Sequence, residues 1–121
     1  MPKQALVVDD CAVTRKLLAL YLRKAGFGSV HAENGLEALE KLAQAAVDLV
    51  VTDLNMPRMD GLALTKSLRN EIRYARLPIV MLTTETEETE RARGLEAGVS
   101  AYLIKPVTQE RLDEVVKTLT A

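Results

Sequence analysis

The sequence predicts an α/β fold in which helices cover both faces of a mostly parallel β-sheet. Two observations favour this class. Short unbroken apolar runs, rich in β-branched residues and bounded by polar ones, are typical of strands buried on both faces. These runs alternate along the chain with segments whose apolar residues recur at helical spacing, which is the order of a parallel sheet with crossover helices. Right-handed crossovers leave few topologies open.

Four strands are predicted from unbroken apolar runs and a fifth from a weaker pattern. The four runs cover residues 5–8, 49–51, 79–82 and 101–104. The weaker segment, 29–32, alternates between apolar and polar residues, which indicates an edge strand with one exposed side.

Four helices are predicted from apolar stripes, and one more, the fourth in the chain, from acidic residues at its start and a glycine at its end. The stripes are, in chain order, Val13, Leu17, Leu20 and Tyr21; Leu36, Leu39 and Leu42; Leu62, Leu64, Leu68 and Ile72; and Leu112, Val115, Val116 and Leu119. The first helix is expected over about residues 12–24, ending before Gly26. Asn34 is a candidate cap of the second helix. The fourth helix is expected to begin at Thr84 and to end at Gly98.

Composition excludes several classes of function. The 121 residues suit one domain, here taken as 1–121, and a net charge of −1 argues against a nucleic-acid footprint. One cysteine, Cys11, and one histidine, His31, exclude an intrachain disulfide and a Cys/His zinc site. We expect Cys11 to be buried or half-buried. No apolar run approaches the roughly 18–20 residues of a membrane helix, and no signal peptide is evident, so a cytoplasmic protein is expected.

Polar side chains follow each of the four apolar runs. They are Asp9 and Asp10, Asp53, Thr83 and Lys105. Because ligand sites in open α/β sheets lie beyond the carboxyl ends of the strands, we expect these groups on one edge. Three carboxylates there repel unless a cation offsets them, and Mg²⁺ suits oxygen ligands. A carboxylate nucleophile, a divalent metal, a lysine and a hydroxyl are the parts needed for phosphoryl transfer to aspartate.

Four stretches in order also carry a family resemblance. They cover residues 6–10, 53–61, 82–84 and 98–106. Together they make the chain resemble the receiver domain of two-component response regulators over essentially its whole length. The resemblance implies a flavodoxin-like (βα)5 fold with parallel strands in the order 2-1-3-4-5.

The resemblance also implies the roles of the acidic residues. Asp53 would accept a phosphoryl group from a histidine kinase, a histidine phosphotransfer protein or a small phosphodonor. Asp10 and Asp53 would bind Mg²⁺, or Mn²⁺ in its place, with the backbone carbonyl of Asn55. Asp9 would act through a metal-bound water, and Lys105 would contact the phosphoryl group.

Further residues are implied to carry the switch. The hydroxyl of Thr83 would move onto a phosphoryl oxygen and Tyr102 would turn inward, altering the surface of the fourth helix, fifth strand and fifth helix. The Lys105–Pro106 peptide bond would be cis. Asn55 and Glu85 would influence hydrolysis of the phosphoryl group, and this pair resembles that of chemotaxis receivers, so quick autodephosphorylation is expected.

The leading functional hypothesis is a phosphorylation-controlled binding module rather than an enzyme. It would be a monomer before phosphorylation and would act by contact with a protein partner, without nucleic acid or membrane. Relay of the phosphoryl group to another histidine, or a receiver excised from a larger regulator or hybrid kinase, stays open. A haloacid-dehalogenase-type phosphatase is the rival, but Asn55 stands where such enzymes place a general acid.

Overall fold

The computed structural model describes residues 3–84 and 88–120, with the side chains of 88–91 excepted. The strands are β1 (Lys3–Val8), β2 (Phe27–Ala32), β3 (Leu49–Asp53), β4 (Ile79–Thr83) and β5 (Ala101–Ile104). The helices are α1 (Ala12–Lys24), α2 (Gly35–Gln44), α3 (Gly61–Arg69), α4 (Glu88–Ala97) and α5 (Gln109–Thr120). A 3₁₀ turn, Ile72–Tyr74, follows α3.

The five strands form one parallel sheet in the order β2-β1-β3-β4-β5. The flavodoxin-like α/β fold expected from the sequence is therefore confirmed, and β2 is an edge strand. Among the described residues, no helix has the length and apolar character needed to cross a bilayer.

The sheet separates two apolar cores, because successive residues of a strand point to opposite faces. Leu6 and Val8 of β1 pack with α2, α3 and α4, which we call the α2–α4 core. Ala5 and Val7 pack with α1 and α5, which we call the α1–α5 core.

Local signals in the sequence fix several helix ends. The side chain of Asn34 accepts a hydrogen bond of 2.9 Å from the Glu37 N–H and caps α2 as predicted. Asp60 caps α3 in the same way, with 2.8 Å to the Ala63 N–H. Gly98 follows the last residue of α4 and has a φ of +108°. A residue with a Cβ rarely adopts this backbone conformation, so glycine favours the helix end at this position.

The apolar stripe predicted for α1 is wrong at three of its four positions, since only Tyr21 packs against the α1–α5 core. Val13 is 75% exposed, and Leu17 and Leu20 are also exposed, whereas Leu18 and Leu22 are buried. Each stripe includes apolar residues four positions apart. The observed stripe is offset from the predicted one by one residue, which is about 100° around the helix. Contact with β1 and β2 selects the second one.

Three smaller predictions are also wrong. Ile72 continues the stripe of α3, but the helix ends at Arg69 and Ile72 is 97% exposed on the turn that follows. Thr84 lies in a bend and not in a helix, and α4 covers Glu88–Ala97 in the described part of the chain, which leaves out residues 85–87. Cys11 is exposed rather than buried, because it precedes the first turn of α1 at the open edge of the sheet.

Candidate functional site

Strand register brings the predicted site residues to one edge of the sheet. Asp53 of β3 pairs with Leu82, the residue before Thr83. Thr83 pairs with Ile104, the residue before Lys105. Val8 pairs with Thr52, so Asp9 follows β1 at the level of Asp53. The four strand ends therefore meet at their carboxyl side.

Three carboxylates form the centre of the site. One ligand atom each of Asp9, Asp10 and Asp53 lies within 4.8 Å of the others. Asp9 and Asp53 are buried, with exposed fractions of 1% and 8%, while Asp10 is exposed to solvent. Two buried carboxylates could thus bind a cation on the protein side, and the cation could enter from solvent at Asp10.

Lys105 is the cationic partner of this cluster. Its Nζ lies 3.0 Å from Oδ1 of Asp53 and 3.4 Å from Oδ2 of Asp9. Burial lowers the pKa of Lys105, but hydrogen bonding and charge from Asp53 and Asp9 outweigh it and the pKa is raised. Lys105 is therefore a fixed positive charge at the site.

The pKa of Asp53 is raised above 3.8. Burial is the main cause, and the negative charge of Asp9 adds to it, while Lys105 acts in the opposite direction. One ammonium thus faces three carboxylates without fully offsetting them. Hard oxygen donors with an uncompensated negative charge fit a divalent cation such as Mg²⁺.

Asp9 is held by contacts that sequence reasoning missed. Its Oδ1 accepts a 2.9 Å hydrogen bond from the Cys11 N–H. Its carbonyl accepts a 2.6 Å hydrogen bond from Nη1 of Arg15, whose Nη2 lies 3.8 Å from Glu33. Arg15 lies on α1 outside the strand-end pattern, so no motif singled it out.

The loop after β3 is shaped by a close approach at Gly61. A Cβ there would overlap the carbonyl oxygen of Asp53 and lie 2.6 Å from Sδ of Met81. The Gly61 N–H donates to the carbonyl of Leu54 at 2.9 Å, which closes the loop. Any other residue at Gly61 would displace the backbone that carries Asp53.

The remaining predicted residues have different placements. Thr83 is buried at the end of β4, and its carbonyl accepts a 2.9 Å hydrogen bond from the Lys105 N–H. Asn55 is exposed in the loop after β3. Tyr102 is half-buried on β5, against the α2–α4 core. The Lys105–Pro106 peptide bond is cis. Glu85 lies outside the described residues.

The chemistry available at this edge is that of an anionic nucleophile beside fixed positive charge. The carboxylate of Asp53 can attack an electrophile that arrives from the solvent side. Lys105 can hold an oxyanion on that electrophile, as a point charge suited to phosphoryl oxygens.

Comparison with known proteins agrees with this geometry. The family model described as response regulator receiver domain matches residues 5–117. Chemotaxis protein CheY1 of Helicobacter pylori is 41% identical over 116 residues, which cover 94% of each chain.

Two solved structures share the fold. Chemotaxis protein CheY4 of Vibrio cholerae has a TM-score of 0.92 and 34% identity, covering 98% of this chain and 99% of that one. The receiver domain of sensor histidine kinase PA1611 from Pseudomonas aeruginosa, described with a magnesium ion in its active site cleft, has a TM-score of 0.88 over 100% of both chains at 24% identity. The family match and the 41% identity decide the assignment: this chain belongs to the response regulator receiver domain family, whose members are switches of two-component signalling.

Proposed function

We propose that this receiver domain is a cytoplasmic switch activated by phosphorylation of Asp53. The observation that carries the proposal is the pairing of a buried carboxylate with a fixed ammonium: Oδ1 of Asp53 lies 3.0 Å from Nζ of Lys105 at the carboxyl edge of the sheet. The donor is a phosphohistidine on a histidine kinase or a histidine phosphotransfer protein, which matches the family of the chain.

The transfer step needs an ionised Asp53. A carboxylate oxygen of Asp53 forms a bond to phosphorus while the bond from phosphorus to the donor histidine nitrogen breaks, and the electron pair leaves with the imidazole. Lys105 opposes the effect of burial on the pKa of Asp53 and so favours the ionised, attacking form. After transfer, the same ammonium is placed to neutralise a phosphoryl oxygen.

The acidic cluster is proposed to be the metal site. Mg²⁺, or Mn²⁺ in its place, would offset the negative charge of the cluster and orient the phosphoryl oxygens. Asp10, Asp53 and the backbone carbonyl of Asn55 are proposed as ligands, with Asp9 acting through water. Asn55 and Glu85 are proposed to influence how fast water removes the phosphoryl group.

The output is proposed to be a change in the α4–β5–α5 surface. Thr83 lies one residue beyond the strand partner of Asp53, and its hydroxyl is proposed to contact a phosphoryl group on Asp53. Movement of that hydroxyl would leave space that Tyr102, on the adjacent strand, can fill. The proposed partner is a protein that binds this surface, and the unphosphorylated domain is proposed to be a monomer.

Phosphorylation can be tested directly by mass spectrometry. Incubation with acetyl phosphate and MgCl₂ should add one phosphoryl group, and chelation of the metal by EDTA should prevent it. Asp53→Asn should remove the labelling, whereas Glu40→Gln, at an exposed acid on α2, should keep it. Wild-type labelling of the Asp53→Asn protein would refute the proposal.

Autodephosphorylation has a separate test. Loss of the phosphoryl group from the Mg²⁺-bound protein should be quick and should slow in an Asn55→Ala, Glu85→Ala variant. A phosphorylated form that persists for many hours in the wild-type protein would refute this part of the proposal.

A further inference from the structure

Gly94 of α4 and Tyr102 of β5 approach each other more closely than any residue with a side chain would allow. A Cβ placed on Gly94 would overlap the hydroxyl oxygen and Cζ of Tyr102, and it would lie 2.6 Å from Cε2. Gly94 is buried, and the half-buried Tyr102 ring packs on the α2–α4 core. The phenol therefore occupies the volume that a side chain at position 94 would fill.

The backbone gives no reason for glycine at this position. Gly94 lies inside α4, and it does not have the positive φ that Gly98 has at the end of the same helix. Glycine inside a helix is less favourable than alanine, because it loses more backbone entropy on folding. The close approach of Tyr102 explains why position 94 has no side chain.

We propose that Gly94 is a positioning residue that sets the resting position of Tyr102. The absence of a Cβ lets the phenol lie directly on the backbone of α4. Any side chain at position 94 would displace the ring from the backbone of α4. The inference rests on the proposed function, in which Tyr102 couples Asp53 to the α4–β5–α5 surface. Gly94 would then determine how much of that movement remains to be driven by phosphorylation.

A double-mutant cycle tests the contact without phosphate. In the Tyr102→Ala background, Gly94→Ala should raise the folding equilibrium constant about fivefold, because alanine is the better helix former. In the Tyr102 background the same substitution should give no such gain, or a loss, because the new methyl meets the ring. Equal gains in both backgrounds would overturn the proposal.

Ala92 offers a matched control on the same helix. It is exposed, so Ala92→Gly should lower the folding equilibrium constant by a similar factor whether residue 102 is tyrosine or alanine. A cycle that couples Ala92 to Tyr102 as strongly as Gly94 would show that the coupling is a general property of α4, and it would overturn the specific role of Gly94.

NMR of ¹³C-labelled tyrosine tests the effect on the switch. The Tyr102 signal, assigned with Tyr102→Phe, should lie at a different shift in Gly94→Ala before phosphorylation, and acetyl phosphate with MgCl₂ should then move it less than in the wild type. An unchanged signal with a wild-type response would overturn the proposal. If the Tyr102 shift of the wild type does not change on phosphorylation, the switch role of Tyr102 in the proposed function is refuted. The double-mutant cycle then still decides whether Gly94 positions the ring.

Discussion

The buried charge of Asp53 makes an unfavourable electrostatic contribution to the free energy of folding. Asp53 is buried beside Asp9, and the Lys105 ammonium is the cation within hydrogen-bond distance of its carboxylate. Its pKa is raised in the folded protein, mainly by burial, so ionised Asp53 opposes folding of the metal-free domain. Asp53, which the proposed phosphoryl transfer needs in its ionised form, thus lowers the stability of the folded domain.

Replacing Asp53 with asparagine is therefore expected to stabilise the metal-free protein at neutral pH. The folded state holds the Asp53 proton above pH 3.8, where the unfolded state has begun to lose it. The free energy of unfolding of the wild type should then fall, relative to Asp53→Asn, as the pH rises from 3.8 through the raised pKa.

Urea denaturation in EDTA across this pH range measures the difference. Glu40→Gln, at an exposed acid outside the cluster, should follow the wild type. A difference between the wild type and Asp53→Asn that is constant with pH would contradict the raised pKa.

At the scale of elements, α1 shows what pattern reasoning resolves and what it does not. Apolar runs and periodic segments predicted the five described strands and four of the five described α-helices, and end signals predicted α4. The face of α1 was mistaken because two adjacent stripes, one through Leu17 and one through Leu18, both have helical spacing. Packing on β1 and β2 decides between them, and that information is not local in the sequence.

The two neighbouring leucines give a matched pair of substitutions. Leu18→Ala should lower the free energy of unfolding by about 3 kcal/mol, because it leaves a cavity in the α1–α5 core. Leu17→Ala, 43% exposed, should cost less than about 1 kcal/mol. Urea denaturation of both variants checks the order, and equal losses would contradict the observed face of α1.

Arg69 links α3 to two connections beyond it. Its Nε donates to the carbonyl of Gly98 at 2.8 Å, and its Nη1 donates to the carbonyl of Tyr74 at 2.8 Å. Arg69→Met should lower the free energy of unfolding by about 2 kcal/mol, because hydrogen bonds from a charged group are lost and carbonyls are left unsatisfied. Lys66→Met, on the exposed side of α3, is the control. A loss no larger than that of the control would show that these bonds contribute little.

At the scale of the whole molecule, the site is an assembly of strand ends that are far apart in the chain. Its acidic residues and Lys105 were predictable because parallel strands bring their carboxyl ends to one edge. Arg15 and Gly94 were not predictable, because their contacts depend on how a helix packs on the sheet. A strand-end rule finds groups at the carboxyl edge of the sheet, and it does not find the residues that position them.

Mg²⁺ is expected to stabilise the folded domain. A ligand that binds only the folded state raises the free energy of unfolding by about 2.7 kcal/mol at a concentration one hundred times its dissociation constant. Thermal unfolding should therefore shift to higher temperature with MgCl₂ in the wild type and much less in Asp10→Asn. Glu40→Gln should respond like the wild type. An equal shift in Asp10→Asn would exclude Asp10 from the metal site.

The sheet divides the interior into two cores, and this limits how far an amino-acid substitution in one core affects the other. Side chains of the α1–α5 core and the α2–α4 core are separated by the backbone of the strands, so substitutions on opposite faces should have additive energies. The layer that carries α1 can accumulate substitutions without repacking the layer that carries α4 and Tyr102. Because the α4–β5–α5 surface takes α4 from one layer and α5 from the other, evolution can change the two halves of that surface separately.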